Sequence, residues 1–228
     1  VGSTASFIQG LAERAGKGKP RKPWVDVARA RAEFDAELAA AVKPDAFPIQ
    51  SQFVAHTIRK VLPKNGLLVV DAGNGGKHVR SYFKSYEPGS FYCIDDWASV
   101  GGSLPIAMGV QLARPDRPVV CASGDMGAMC NIGELETAVR ENIPVGYVVF
   151  NDQGLGNERA FQNEHFGGRY FAVDYKNPDF GALARVFGAH GEHVTRPGDL
   201  EGAIQRAFAS GKPALVDVMI DQNTLAPV

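Results

Sequence analysis

The chain of 228 residues is 45% hydrophobic and 21% charged, enough apolar material for one substantial core and part of a second. A net charge of -1 and the lack of any nucleic-acid-binding motif argue against a nucleic-acid binder, and no apolar run has the length of a membrane span. Cys93, Cys121 and Cys130 are few and lack metal-ligand spacing, so they read as reduced thiols of a cytoplasmic protein.

Residues 1–16 lack the basic start and apolar block of a signal peptide and hold a short apolar, helix-like stretch at Phe7–Leu11. The basic, Pro/Gly-rich run at 16–23 reads as a solvated linker. Residues 24–42, with Trp24, Ala28, Ala32, Phe34 and Leu38, have the pattern of an amphipathic helix. The segment Pro44–Pro48 leads into the main domain, which gives two parts, 1–47 and 48–228. From there the pattern alternates. A helix at Gln50–Leu62 precedes a strand at Leu67–Asp71, a Gly-rich turn at 73–76 and a helix at Lys77–Ser85. A short strand at Phe91–Ile94 and a helix at Leu104–Leu112 follow, the helix ended by Arg114-Pro115. Strand Val119–Ser123, helix Ile132–Glu141 and strand Val145–Phe150 come next, then a long loop to about Asp174. Helix Asp179–Phe187, a strand near Ala189–Val194, helix Asp199–Ala209 and strand Ala214–Ile220 complete the chain. Apolar strands alternating with helices predict an α/β fold, a mainly parallel sheet with helices on both faces, preceded by a helical linker segment.

Two turns carry the chemistry. Ser123-Gly124-Asp125-Met126-Gly127 follows one apolar strand and Asn151-Asp152-Gln153-Gly154 another, so both lie at the carboxyl edge of the sheet, where open parallel sheets bind ligands. Asp125 and Asp152 offer hard oxygen ligands for a cation, and the neighbouring glycines let backbone approach an anion closely.

These turns, with Glu134–Val139 and Pro144 between them, resemble the diphosphate-binding domain of thiamine-diphosphate-dependent enzymes, in the acetolactate synthase, pyruvate decarboxylase and benzoylformate decarboxylase group. The family signature is Gly-Asp-Gly, a helix, then Asn-Asn. Here Asp152, the second member of the Asn-Asp pair, lies 27 residues after Asp125, the family spacing. Asp71-Ala72-Gly73-Asn74-Gly75 resembles the family's Asp-Val-Gly-Gln-His turn, and Ala98–Pro105 its Gly-Thr-Met-Gly-Tyr-Gly-Leu-Pro segment.

The resemblance implies thiamine diphosphate and Mg2+ as cofactors. Asp125, Asp152 and the Gly154 carbonyl would hold the ion, and Gly124 and the amides of Met126 and Gly127 would face the phosphates. Gly73, Asn74 and Gly75 would touch the diphosphate from the neighbouring strand. Val100 would be the wedge that bends the cofactor, its amide and the Ala98 carbonyl holding the aminopyrimidine. Glu158 stands at the offset of a catalytic, proton-relaying glutamate in pyruvate decarboxylase-like members. The implied reaction is decarboxylation of a 2-oxo acid, with carboligation or aldehyde release. Met126 in place of the third glycine and Asp152 in place of a common asparagine depart from the pattern.

The resemblance also implies a pyrimidine-binding domain with a glutamate that drives the cofactor's imino tautomer, and nothing in residues 1–47 resembles it. That stretch looks like the end of a central domain plus its linker. The expectation is a fragment or one subunit of a split enzyme, completed by another chain or a missing N-terminal part, in a homo-oligomer. His78 and His165 lie in segments near the expected pocket, Trp97 just ahead of the wedge, and Phe161, Phe166, Tyr170 and Phe171 in a loop suited to covering the substrate side. Two alternatives remain: a non-catalytic cofactor-binding or regulatory domain of the same fold, and a Rossmann-type dinucleotide-binding oxidoreductase. The run Gly73-Asn74-Gly75-Gly76 lacks the third glycine of the latter's fingerprint.

Overall fold

The computed structural model describes residues 2–16, 24–94 and 97–226, so the basic run at 17–23 lies outside the described residues. The chain divides into two compact units, one ending at Ala39 and the other starting at Ala40. Helices α1 (Thr4–Ala15) and α2 (Val27–Ala41) bury none of their side chains, and Phe34 stays exposed. The amphipathic pattern of α2 therefore finds no core here. Its turns carry i,i+4 ion pairs instead, Arg29 with Glu33 and Arg31 with Asp35.

The larger unit is built on six strands: β1 (Leu67–Val70), β2 (Phe91–Cys93), β3 (Val119–Gly124), β4 (Gly146–Asn151), β5 (His190–Val194) and β6 (Ala214–Met219). All pair in parallel, in the order β2-β1-β3-β4-β6-β5. Every residue of β1 and β4 is buried, because helices cover both faces of the sheet, and this is why the strands read as unbroken apolar runs. Alternate residues feed two cores. Leu68, Val70, Val120, Ala122, Val148 and Phe150 face α3 (Ser51–Val61), α4 (Asn74–Tyr82) and α10 (Leu200–Ala209). Leu67, Val69, Cys121, Tyr147 and Val149 face α5 (Ser103–Ala113), α6 (Asp125–Asn131), α7 (Glu134–Arg140) and α9 (Phe180–Val186).

The chain leaves β1 toward one edge of the sheet, to β2, and leaves β3 toward the other, to β4. A crevice opens where such connections diverge, at the carboxyl ends of β1 and β3. The register sets Gly124 beside Phe150, so Asp125 and Asn151 emerge at the same level.

Three elements differ from expectation. Helix α4 starts at Asn74, so the Gly-rich run forms its first turn rather than a loop before it. Gly73 caps it at φ 108°, a conformation that favours glycine, and a Cβ on Gly76 would lie 2.2 Å from the Asp71 carbonyl oxygen. Helix α6 precedes α7 where the sequence predicts one helix. The segment after β4, expected as a long loop, contains α8 (Gly156–Phe166), closed by Gly167 in the left-handed region.

Candidate active site

A cavity of about 430 Å3 occupies the crevice, within the range of small-ligand sites. Its wall includes Gly73, Asn74 and Gly75 from the start of α4, Gly124, Asp125, Met126 and Gly127 from the β3–α6 junction, and Ala98 and Val100. Asp152, Gly154 and Glu158 complete the set from the turn after β4 and from α8. The structure thus gathers around one space every residue that the sequence suggests for metal, cofactor or proton transfer. Trp97, His78 and His165 do not line it. Trp97 is 92% exposed, His78 is buried against the Thr224 carbonyl, and His165 packs on Phe161. Phe161, Phe166, Tyr170 and Phe171 are exposed and lie outside the lining.

Asp125, the first residue of α6, is 1% exposed. Its Oδ1 accepts from the Met126 amide at 2.7 Å and lies 2.7 Å from the Tyr175 hydroxyl. Its Oδ2 accepts from Asn177 Nδ2 at 2.7 Å and from the Gly154 amide at 3.3 Å. Burial raises the Asp125 carboxyl above the ordinary value, and the bonds from Tyr175, Met126 and Asn177 oppose the rise. The Met126 amide, expected to face phosphate, is therefore engaged by its neighbouring carboxylate.

Asp152 sits in a tight turn, with Gln153 at φ 54°. A Cβ on Gly154 would stand 2.7 Å from the Val173 carbonyl oxygen, so that position demands glycine, and one on Gly156 would crowd Asp152 Oδ2 at 2.7 Å. Burial, with the charge of Asp125 second, pushes the Asp152 carboxyl up from 3.8 to about 7. Two carboxylates and a carbonyl around one space form an all-oxygen donor set with excess negative charge, which suits a small hard cation. The glycine-lined wall beside it suits the backbone approach a diphosphate requires. The residues present therefore fit a magnesium ion and thiamine diphosphate.

Asn74 is also tied to a distant part of the chain. Its side chain bonds the last described segment, Nδ2 donating to the Thr224 carbonyl at 3.0 Å and Oδ1 accepting from the Ala226 amide at 2.7 Å. It lines the cavity at the start of α4. Glu158 is exposed on α8, while Arg159 turns away from it to pair with Asp174.

The sequence assigns no role to several supporting residues. Asp71, fully buried, accepts from the Gly101 amide, the Ser103 hydroxyl and the Ala72 amide, and so anchors the segment bearing Ala98 and Val100. Asn131 holds the same segment through the Gly101 carbonyl at 2.8 Å. Val100 itself is 48% exposed, standing free at the cavity wall. Tyr175 and Asn177 reach Asp125 from a distant part of the chain, after an antiparallel bridge pairs Gly154 with Asp174.

Residues 71–218 match the family described as thiamine pyrophosphate enzyme, C-terminal TPP binding domain. The chain is 35% identical over 161 residues to the acetolactate synthase isozyme 2 large subunit of Escherichia coli strain K12, covering 70% of this chain and 29% of that protein. It is 31% identical over 155 residues to the sulfoacetaldehyde acetyltransferase of Castellaniella defragrans, covering 68% of this chain and 26% of that one. In fold it is similar to the thiamine diphosphate-dependent 4-hydroxybenzoylformate decarboxylase of Rhodococcus jostii RHA1, with a TM-score of 0.77 at 24% identity, over 96% of this chain and 40% of that one. The chain spans about a third of the length of the curated relatives it matches.

Proposed function

The chain belongs to the thiamine pyrophosphate enzymes, of which it carries the C-terminal TPP-binding domain, and we propose that it holds thiamine diphosphate through Mg2+ to decarboxylate a 2-oxo acid. The observation that carries this reading is the convergence of Asp125, Asp152 and Gly154 beside a glycine-lined cavity at the sheet's carboxyl edge, with one hydroxyl, that of Tyr175, reaching both the Asp125 carboxylate and the Gly154 carbonyl.

Asp125 and Asp152 would ligate the ion through carboxylate oxygens and Gly154 through its carbonyl, an oxygen set matched to Mg2+. Gly73 to Gly75 and Gly124 to Gly127 would bring backbone against the diphosphate. Val100, held in place through Asp71 and Gly101, would support the bend of the cofactor, and Ala98 would orient its pyrimidine. When bound, the cofactor would supply an electron sink for the bonding pair left behind as the substrate carboxylate departs as carbon dioxide. Glu158 lines the cavity yet keeps contact with solvent, a position from which it can hand a proton to the product side. The reaction then ends in carboligation, as in an acetolactate synthase, or in aldehyde release. A pyrimidine-binding domain, from another chain or from an N-terminal part, would complete the site within a homo-oligomer in the cytoplasm.

A thermal shift tests the cofactor. Mg2+ with thiamine diphosphate at 100 times the dissociation constant stabilises the protein by about 2.7 kcal/mol, and NAD does not. Stabilisation by NAD instead would overturn the reading. Product analysis with pyruvate, benzoylformate and an oxalyl thioester, with the pyrimidine-binding domain present, then identifies the substrate.

A further inference from the structure

Donors crowd the carboxylate of Asp125. A carboxylate accepts about four hydrogen bonds, and four donors approach this one: the amides of Met126 and Gly154, the side-chain amide of Asn177 and the hydroxyl of Tyr175. A cation on Asp125 competes with these four for the carboxylate oxygens. The first two are backbone. Asn177 is held from behind, its Nδ2 also 2.9 Å from Asn151 Oδ1. Asn151 donates to Asp217 Oδ1 at 2.9 Å. Asp217, fully buried, accepts from the Phe180 amide and contacts His193 Nδ1 at 2.8 Å. Asn177 is thus one end of a braced chain of polar groups.

Among the described residues the Tyr175 hydroxyl has no such brace. Its hydroxyl oxygen lies 2.7 Å from Asp125 Oδ1 and 2.9 Å from the Gly154 carbonyl oxygen, between two of the three groups assigned to the cation. One hydroxyl hydrogen serves one of these acceptors at a time. The ring is half-buried, so it has solvent to turn into. Resting on the cation reading above, we propose that Tyr175 is an affinity-setting residue of the metal site. Its hydroxyl keeps the place between Asp125 and Gly154 that a divalent cation takes on loading, while Asn177 stays and orients the carboxylate.

The test compares Mn2+ affinity, measured by calorimetry with thiamine diphosphate present, in the wild type, Tyr175→Phe and Asn177→Leu. Tyr175→Phe leaves no hydroxyl to displace and binds Mn2+ about tenfold more tightly, equivalent to about 1.4 kcal/mol. The same variant has a lower Tm when empty, because Asp125 loses a partner. Asn177→Leu binds about tenfold more weakly. In the wild type, loading changes the near-ultraviolet tyrosine spectrum, and Tyr175→Phe removes that change. A merely structural tyrosine gives equal or weaker Mn2+ binding in Tyr175→Phe, and that result overturns the inference alone. A wild type that binds neither Mn2+ nor thiamine diphosphate overturns the functional reading, and this inference with it.

Discussion

Replacing Asp152 with asparagine should stabilise the empty protein, and the size of the effect follows from the site. The Asp152 carboxyl is pushed from 3.8 to about 7, first by burial and then by the charge of Asp125. A carboxyl whose folded value lies above its unfolded one binds its proton more tightly when folded, so its ionisation opposes folding. The penalty is absent below about pH 4, grows through the window between 3.8 and about 7, and is complete above it. At about 1.36 kcal/mol per pH unit, the full window corresponds to roughly 4 kcal/mol at pH 8. The asparagine side chain carries no charge, so it removes that penalty at the cost of an altered bond pattern in the turn. A net gain of about 2 kcal/mol raises Tm by roughly 4–8 °C in a chain of this size. The assay is thermal unfolding of both proteins in EDTA from pH 5 to pH 9. Asp152→Asn exceeds the wild type at pH 8, and the difference shrinks toward pH 5. With Mg2+ and thiamine diphosphate the order narrows or reverses, because the wild type then uses its second carboxylate. Equal Tm values at pH 8 in EDTA, or a less stable variant there, would refute the reasoning.

Asp71→Ala leaves the donors of Gly101, Ser103 and Ala72 without their shared acceptor and should cost about 3 kcal/mol, read as a lower urea midpoint. Gly76→Ala drives a methyl against the Asp71 carbonyl oxygen and should cost about 2 kcal/mol or more in the same assay. Gly124→Ala is the contrast. Its added methyl meets no protein atom within 4 Å, so stability should change by less than about 0.5 kcal/mol. Because Gly124 lines the cavity, the same methyl should weaken thiamine diphosphate binding at least tenfold by calorimetry.

What the sequence reveals, and what it hides, follows from how far each contact reaches. β1, β3 and β4 are readable because burial on both faces leaves a nearly plain apolar run, and β6 remains readable although it carries the buried Asp217. Asp125 and Asp152 are readable because each follows such a run in a glycine-bearing turn. Helix α8 is not. Its sequence, Gly156 to Phe166, is polar and buries only Gly156, Arg159 and Ala160. It is held by the Arg159–Asp174 pair and the Gly167 cap rather than by an apolar stripe. Helix α6 has seven residues and packs a bare Gly127 close to Asp71, so it shows no periodicity. Asn74 reads as a phosphate-turn residue, but its side-chain partners stand about 150 residues away. The hold of Tyr175 and Asn177 on Asp125 likewise spans 50 and 52 residues, and no local pattern encodes it.

The most direct measurement is anomalous scattering from a crystal soaked in Mn2+ and thiamine diphosphate. The account predicts one peak about 2 Å from a carboxylate oxygen of Asp125, a carboxylate oxygen of Asp152 and the Gly154 carbonyl, with diphosphate density against Gly124 to Gly127. A fully bound cofactor whose metal lies elsewhere, or whose diphosphate avoids that wall, would contradict it.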